Sequence, residues 1–138
     1  MSKVSIQVYK TFEADVLKGL VPSIIYEIFN DETVVGKLSL RLDENENENV
    51  YYGGHLGYVI DEPFRGNNYA YYACMELKDV AVEKGLTHLM ITCNPDNEAS
   101  KRICDKLGAV LIEEVDVPEH IDMYKNGEKK KLRYKWTL

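Results

Sequence analysis

A mixed α/β fold around one sheet is expected for this chain, and three features point to it. Up to about Ile60 the sequence is a series of β-rich runs. After Asn68 the apolar residues change from alternation to the three-and-four spacing of an amphipathic helix. Two such helical stretches are then separated by short strand-like runs. The order of hairpin, strand, helix, strand, helix, strand, strand implies one or two parallel crossovers at the centre of the sheet. With 138 residues, 45% hydrophobic and 29% charged, the chain has the size and balance of one domain with one core, spanning 1–138.

The opening SIQVYKTF reads as a strand and EADVLKGL as a short helix. IIYEIFN and TVVGKLSLRL are β-rich runs separated by Asp31 and Glu32, a connection suited to a hairpin. DENENEN, residues 43–49, cannot bury anything and reads as an exposed loop. VYYGGHLGYVID is strand-like but interrupted by Gly53, Gly54 and Gly57, which suggests a bulge or a close backbone approach. Ala70, Ala73, Leu77, Val80 and Ala81 fall at helical spacing, with Gly85 as the stop. HLMITCN alternates as a strand. In NPDNEASKRICDKLG, Asn97 is the N-cap, Ala99, Ile103 and Leu107 form the apolar stripe, Lys106 lies in the last turn and Gly108 ends the helix. AVLIEEVDV and KKKLRYKWTL close the chain as strands. KNGEKKKLRYK is read as a hairpin turn and the solvated face of the last strand.

Net charge is −6, with 11 acids against 5 bases up to Glu62 and 12 against 12 after it. That balance disfavours nucleic acid, whose binding rests on neutralising phosphates, and favours a cationic substrate. Cys74, Cys93 and Cys104 are odd in number and widely spaced, which fits neither a disulfide framework nor a metal pair. Buried free thiols are expected, and no metal. No apolar run approaches the roughly 18–20 residues of a membrane span, and MSKVSIQVYK lacks the apolar stretch of a secretory signal. The expectation is a cytoplasmic protein with no membrane partner.

The stretch DEPFRGNNYAYYA turns from loop into helix. A helix N-terminus presents unpaired N–H groups and the positive end of its dipole, so it attracts anions. Arg65 adds a charge-assisted donor, while Gly66, Asn67 and Asn68 let the backbone curl. Ala70 keeps the first turn slim. No Asp or Glu occurs from Arg65 through Met75 to compete with the anion. The stretch therefore reads as a diphosphate cradle; read alone, it is equally a plain surface turn into a helix. It is neither a Walker loop nor a dinucleotide fingerprint.

Together, GHLGYVIDEPFRGNNYAYYA and HLMITCNPDNEASKRICDKLGA resemble the acetyl-CoA-binding core of the GNAT superfamily of N-acetyltransferases. That family's pyrophosphate loop runs Gln or Arg, two residues, Gly, one residue, Gly or Ala; Arg65, Asn68 and Ala70 occupy those positions. A second motif, an Asn followed by a small residue and a Gly, is matched by Asn97, Ser100 and Gly108. The similarity covers roughly residues 33 to 115. It implies a mostly antiparallel mixed sheet with flanking helices and a splayed central parallel strand pair. Pantetheine would lie against Tyr58, Val59 and Ile60, the pyrophosphate on the N–H groups of Arg65, Gly66, Asn67, Asn68, Tyr69 and Ala70, and the thioester near Asn97 and Ser100. Two departures stand out. Asn68 replaces the loop's central Gly, tolerable where the backbone is left-handed, and Cys104 stands where many members carry a proton-donating Tyr.

For the chemistry, His55 is the candidate general base, its unperturbed pKa near 6.5 suiting the removal of a proton from the acceptor amine. Cys104 is the candidate acid for the leaving thiolate, or a small packed residue. His88 and His120 read as incidental, and Tyr51, Tyr52 and Tyr72 as candidates for an acceptor pocket. The resemblance implies direct acetyl transfer from acetyl-CoA to a primary amine of a small molecule or peptide, without a metal. The alternatives are a catalytically silent CoA-binding or sensory module of the same fold, and an unrelated interaction domain. Pairing through sheet edges, a habit of the family, admits a homodimer.

Overall fold

The computed structural model describes residues 3–15, 17, 20–43 and 47–138. Strands β2 (Ser23–Asn30) and β3 (Thr33–Arg41) form the expected hairpin. Asp31 occupies the left-handed region at φ 53 in its turn. β1 (Val4–Phe12) adds antiparallel to β2, and β4 (Leu56–Ile60) adds antiparallel to β3, giving the order β1-β2-β3-β4. Alternation along these strands buries Tyr26 and Ile28, Leu38 and Leu40, and Leu56 in one core cluster. Helix α2 (Tyr69–Glu83) supplies Ala73, Cys74, Leu77 and Ala81 to the same cluster. Its small residues let it lie close to the sheet, and burying a side chain such as Leu77 is worth about 1.5–3 kcal/mol.

After α2 the chain enters a second sheet of β5 (His88–Cys93), β6 (Val110–Asp116) and β7 (Lys130–Thr137), ordered β5-β7-β6. Helix α3 (Glu98–Leu107) lies between β5 and β6 in the chain. Its start and stop are those expected: Asn97 Oδ1 accepts from Ser100 N at 3.1 Å, and Gly108 ends it at φ 80. The last strand differs from expectation. Glu128 and the Tyr51 ring lie over the face of β7 that carries Lys131 and Arg133, so both are buried rather than solvated, while Lys135 further along the strand is exposed. Each carries a compensating contact: Lys131 Nζ donates to Glu128 at 2.8 Å, and the Arg133 guanidinium lies 3.8 Å from the Tyr51 ring centroid and 3.4 Å from Glu113.

A second correction concerns VYYGG, expected as strand. Residues Glu48–Gly53 form helix α1. Asn47 Oδ1 accepts from Val50 N at 3.1 Å, Glu48 sits in the first turn, and Val50 is fully buried, so a cap and one apolar anchor outweigh β-propensity. The helix expected over 13–20 falls partly on residues outside those described; Asp15 and Leu20 exchange backbone hydrogen bonds at 2.9 Å. Within DENENEN, expected as loop, residues 44–46 also lie outside, and Glu48 and Asn49 belong to α1. The β6–β7 connection holds a short helix, α4 (Asp122–Lys125), and folds toward α1, where His120 Nε2 pairs with Glu48.

The crossover from β4 through α2 brings β4 and β5 side by side as the diverging central pair. His55 N donates to Met90 O at 2.8 Å where β4 begins, and no ladder joins the two strands. Gly54 permits this approach: a Cβ there would lie 2.9 Å from Met90 O and 3.1 Å from Thr92 N.

Candidate active site

β4 is bonded to β3 along one edge and β5 to β7 along one edge, so each ends its sheet. Between their other edges lies a cavity of about 950 Å3. Tyr58, Val59 and Ile60 line one wall and Thr92, Cys93 and Asn94 the other, with Asn97 and Ser100 of α3 above. Strand edges present unpaired N–H and C=O groups, which suits a ligand rich in amides.

The loop before α2 closes one end. Gly66 has φ 89 and Asn68 φ 62, ψ 20, the left-handed conformation under which Asn can replace the family's Gly. The loop is braced from within: Arg65 Nε donates to Ile60 O at 2.9 Å and Asn67 Nδ2 to Phe64 O at 3.0 Å. Among the described residues the N–H groups of Gly66 and Asn68 find no backbone acceptor. The first turn of α2 adds its own unpaired donors and carries no carboxylate. The Tyr69 hydroxyl accepts from Asn30 Nδ2 at 3.0 Å, and Ala70 is buried. The expected anion cradle therefore fits a diphosphate in both backbone shape and sign of charge.

Tyr58 and Ser100 meet inside the cleft, their hydroxyl oxygens 2.6 Å apart, so β4 and α3 touch through side chains where their backbones diverge. Burial raises the Tyr58 phenol well above its ordinary value, with the Ser100 bond opposing, so it stays a neutral hydroxyl.

The two residues expected to carry proton transfer lie elsewhere. His55 is buried and does not line the cavity. Met90 N donates to its Nδ1 at 2.9 Å, which requires that nitrogen to be unprotonated, so Nε2 donates to Asp43 O at 2.8 Å. Both nitrogens are committed, and the ring braces β4 against β5. Cys104 is fully buried in the core and does not itself line the cleft, and its thiol is pushed up to about 12 by burial and then by the neighbouring Cys93. Neither geometry nor acidity favours it as a donor to a leaving thiolate. Tyr51, Tyr52 and Tyr72 likewise do not line the cleft: Tyr51 donates to Glu113 at 2.9 Å, and the Tyr52 carbonyl accepts from Thr92 Oγ1 at 2.9 Å.

The residues that the sequence did not reveal are Glu128 and Lys131, both lining the cleft. They sit in a lysine-rich run that resembles any solvated strand. The one available signal was Asn126-Gly127 before them, where Gly127 at φ 89 turns the chain inward.

Residues 9–110 match the Acetyltransferase (GNAT) domain family. A search of curated proteins gave no match. Among solved structures, RimL, the ribosomal L7/L12 alpha-N-protein acetyltransferase, superposes with a TM-score of 0.67 at 23% identity over 84% of this chain and 61% of that one. The microcin C7 self-immunity acetyltransferase MccE, in complex with acetyl-CoA and AMP, gives 0.66 at 19% identity over 84% and 61%. The Salmonella typhimurium acetyl transferase that modifies the N-terminal serine of 50S ribosomal subunit protein L7/L12 gives 0.64 at 22% identity over 88% and 66%. The chain spans about three-fifths to two-thirds of these neighbours' length. These likenesses carry the fold, and the match over the greater part of the sequence carries the family: the chain belongs to the GNAT acetyltransferases.

Proposed function

We propose that this chain moves an acetyl group from acetyl-CoA to a primary amine by direct attack within a ternary complex. One observation carries the reading: a carboxylate-free cradle of unpaired N–H groups stands at the end of a cleft whose walls are two unpaired strand edges. Acetyl-CoA brings the activated thioester. The chain's part is to hold the diphosphate on Gly66–Ala70, to pair the pantetheine amides with β4 at Tyr58–Ile60, and to fix the thioester beside the amine, since positioning supplies much of the rate in such transfers. A β4 backbone N–H facing the cleft would polarise the carbonyl. The Tyr58–Ser100 hydroxyl pair, rather than Cys104, would donate to the departing sulfur. His55 is a positioning residue here and not the base. The three unpaired thiols suit a reducing compartment, so we place the reaction in the cytoplasm.

The acceptor is an amine of a small molecule or of a peptide; the second class is supported by the Salmonella neighbour, whose substrate is an N-terminal serine. The silent-module reading draws on one observation, the buried thiol at position 104. An assay of CoA thiol release with spermidine, an aminoglycoside and a serine-initiated peptide separates the two. Release with any of them establishes acetyl transfer. Saturable acetyl-CoA binding with no release across the panel leaves the module or an acceptor outside these three classes.

A further inference from the structure

Glu128 is the sole carboxylate among the described residues that line the cleft; the other charged lining groups are Arg65, Arg102, Lys106 and Lys131. Its place along the cleft follows from its contacts. Glu128 N donates to Met123 O at 2.9 Å, and the Met123 methyl lies against Gly53, just before β4 begins. The phosphate cradle follows β4 at its other end. Five residues of strand therefore separate the two features, roughly 16 Å at 3.3 Å per residue.

The carboxylate is held by construction. Lys131, whose side chain is only 9% exposed, grips Glu128 Oε1 at 2.8 Å. The turn behind it is tied by Gly127 N to Tyr124 O at 3.0 Å. A charged pair kept half out of water at the end opposite a diphosphate site needs a reason, since burying it costs desolvation.

We propose that Glu128 receives the ammonium group of the acceptor, so that the acceptor is a cationic primary amine; this rests on the acetyl-transfer reading above. A donor lying from the cradle along β4 leaves the Gly53 end for the second substrate, and Glu128 is what a cation meets there. The contact is a charge-assisted hydrogen bond. Lys131 already shares the carboxylate, so the arriving ammonium is held less tightly than by a lone carboxylate and can pass one proton to solvent water before the neutral amine attacks the thioester.

Calorimetric binding of CoA, S-(3-aminopropyl)-CoA and the uncharged isostere S-butyl-CoA tests this without knowing the acceptor. The wild type should bind the aminopropyl thioether roughly tenfold more tightly than the butyl one, the range of one charge-assisted contact. Glu128→Gln should abolish that preference and leave CoA affinity unchanged. Because Glu128→Gln leaves Lys131 without its carboxylate, the double variant Glu128→Gln/Lys131→Met, which removes both charges, should show the same loss. A preference that survives in either variant, or none in a wild type that binds CoA, overturns the assignment. Failure of CoA itself to bind removes the acetyl-CoA reading and this inference with it.

Discussion

His55 shows how one residue's neighbours decide its role. A histidine between glycines near a suspected active site invites assignment as a base, yet its Nδ1 accepts from Met90 N and its Nε2 reaches Asp43 O. His55→Ala should therefore cost about 1–3 kcal/mol of stability, the penalty for two buried groups left unpaired. At temperatures where the variant is folded, the shape of its pH–rate profile should match the wild type, which paired denaturation and kinetic series would check. The thiols give a second expectation. Burial first, and then a neighbouring thiol, Cys104 for Cys74 and Cys93 for Cys104, pushes both from the ordinary 9.0 to about 12. Both are neutral in the folded state, so their contribution is fully present below pH 9. It is lost as pH rises from there toward 12, because the unfolded chain ionises first. Melting temperatures across that range should fall less steeply for Cys74→Ala/Cys104→Ala than for the wild type.

At the scale of elements, the helices with caps and stripes were legible and the segments governed by distant contacts were not. Asn97 and Gly108 mark the ends of α3 because capping is local chemistry. Helix α1 was hidden because Val50, Tyr51 and Tyr52 have strong β-propensity; Val50's burial and the stacking of Tyr51 on Arg133 of a far strand settle its conformation. For the same reason the burial of Lys131 and Arg133 could not be read: it follows from Glu128 and the distant Tyr51 ring lying over that face of β7. The cradle was legible because it depends on five adjacent residues, whereas Glu128 enters the cleft through a fold-back of the β6–β7 connection. Gly54 lies between these cases, its glycine legible and its neighbour not. Gly54→Ala would push a methyl to 2.9 Å from Met90 O at a φ of 78. The expected cost is about 1–3 kcal/mol, with weaker CoA binding from the displaced β4, measured by denaturant titration and calorimetry.

Across the whole molecule, two antiparallel sheets share one core and face each other across a pair of unbonded edges. Leaving two edges unpaired inside a fold is unfavourable unless something else pairs with them, and a ligand made of successive amides with a diphosphate at one end meets both the edges and the cradle. The binding site is therefore a property of the architecture, while the acceptor end is set by individual residues on the β6–β7 connection. A thermal-shift titration of acetyl-CoA on the wild type beside Asn68→Asp tests this most directly. Asp tolerates the left-handed backbone but sets a negative charge in the cradle. The wild-type melting temperature should rise with ligand, by the equivalent of about 2.7 kcal/mol at a hundredfold excess over Kd, and that of Asn68→Asp should barely move. A flat wild-type titration, or an equal rise in both proteins, would contradict the assignment of the cleft to acetyl-CoA.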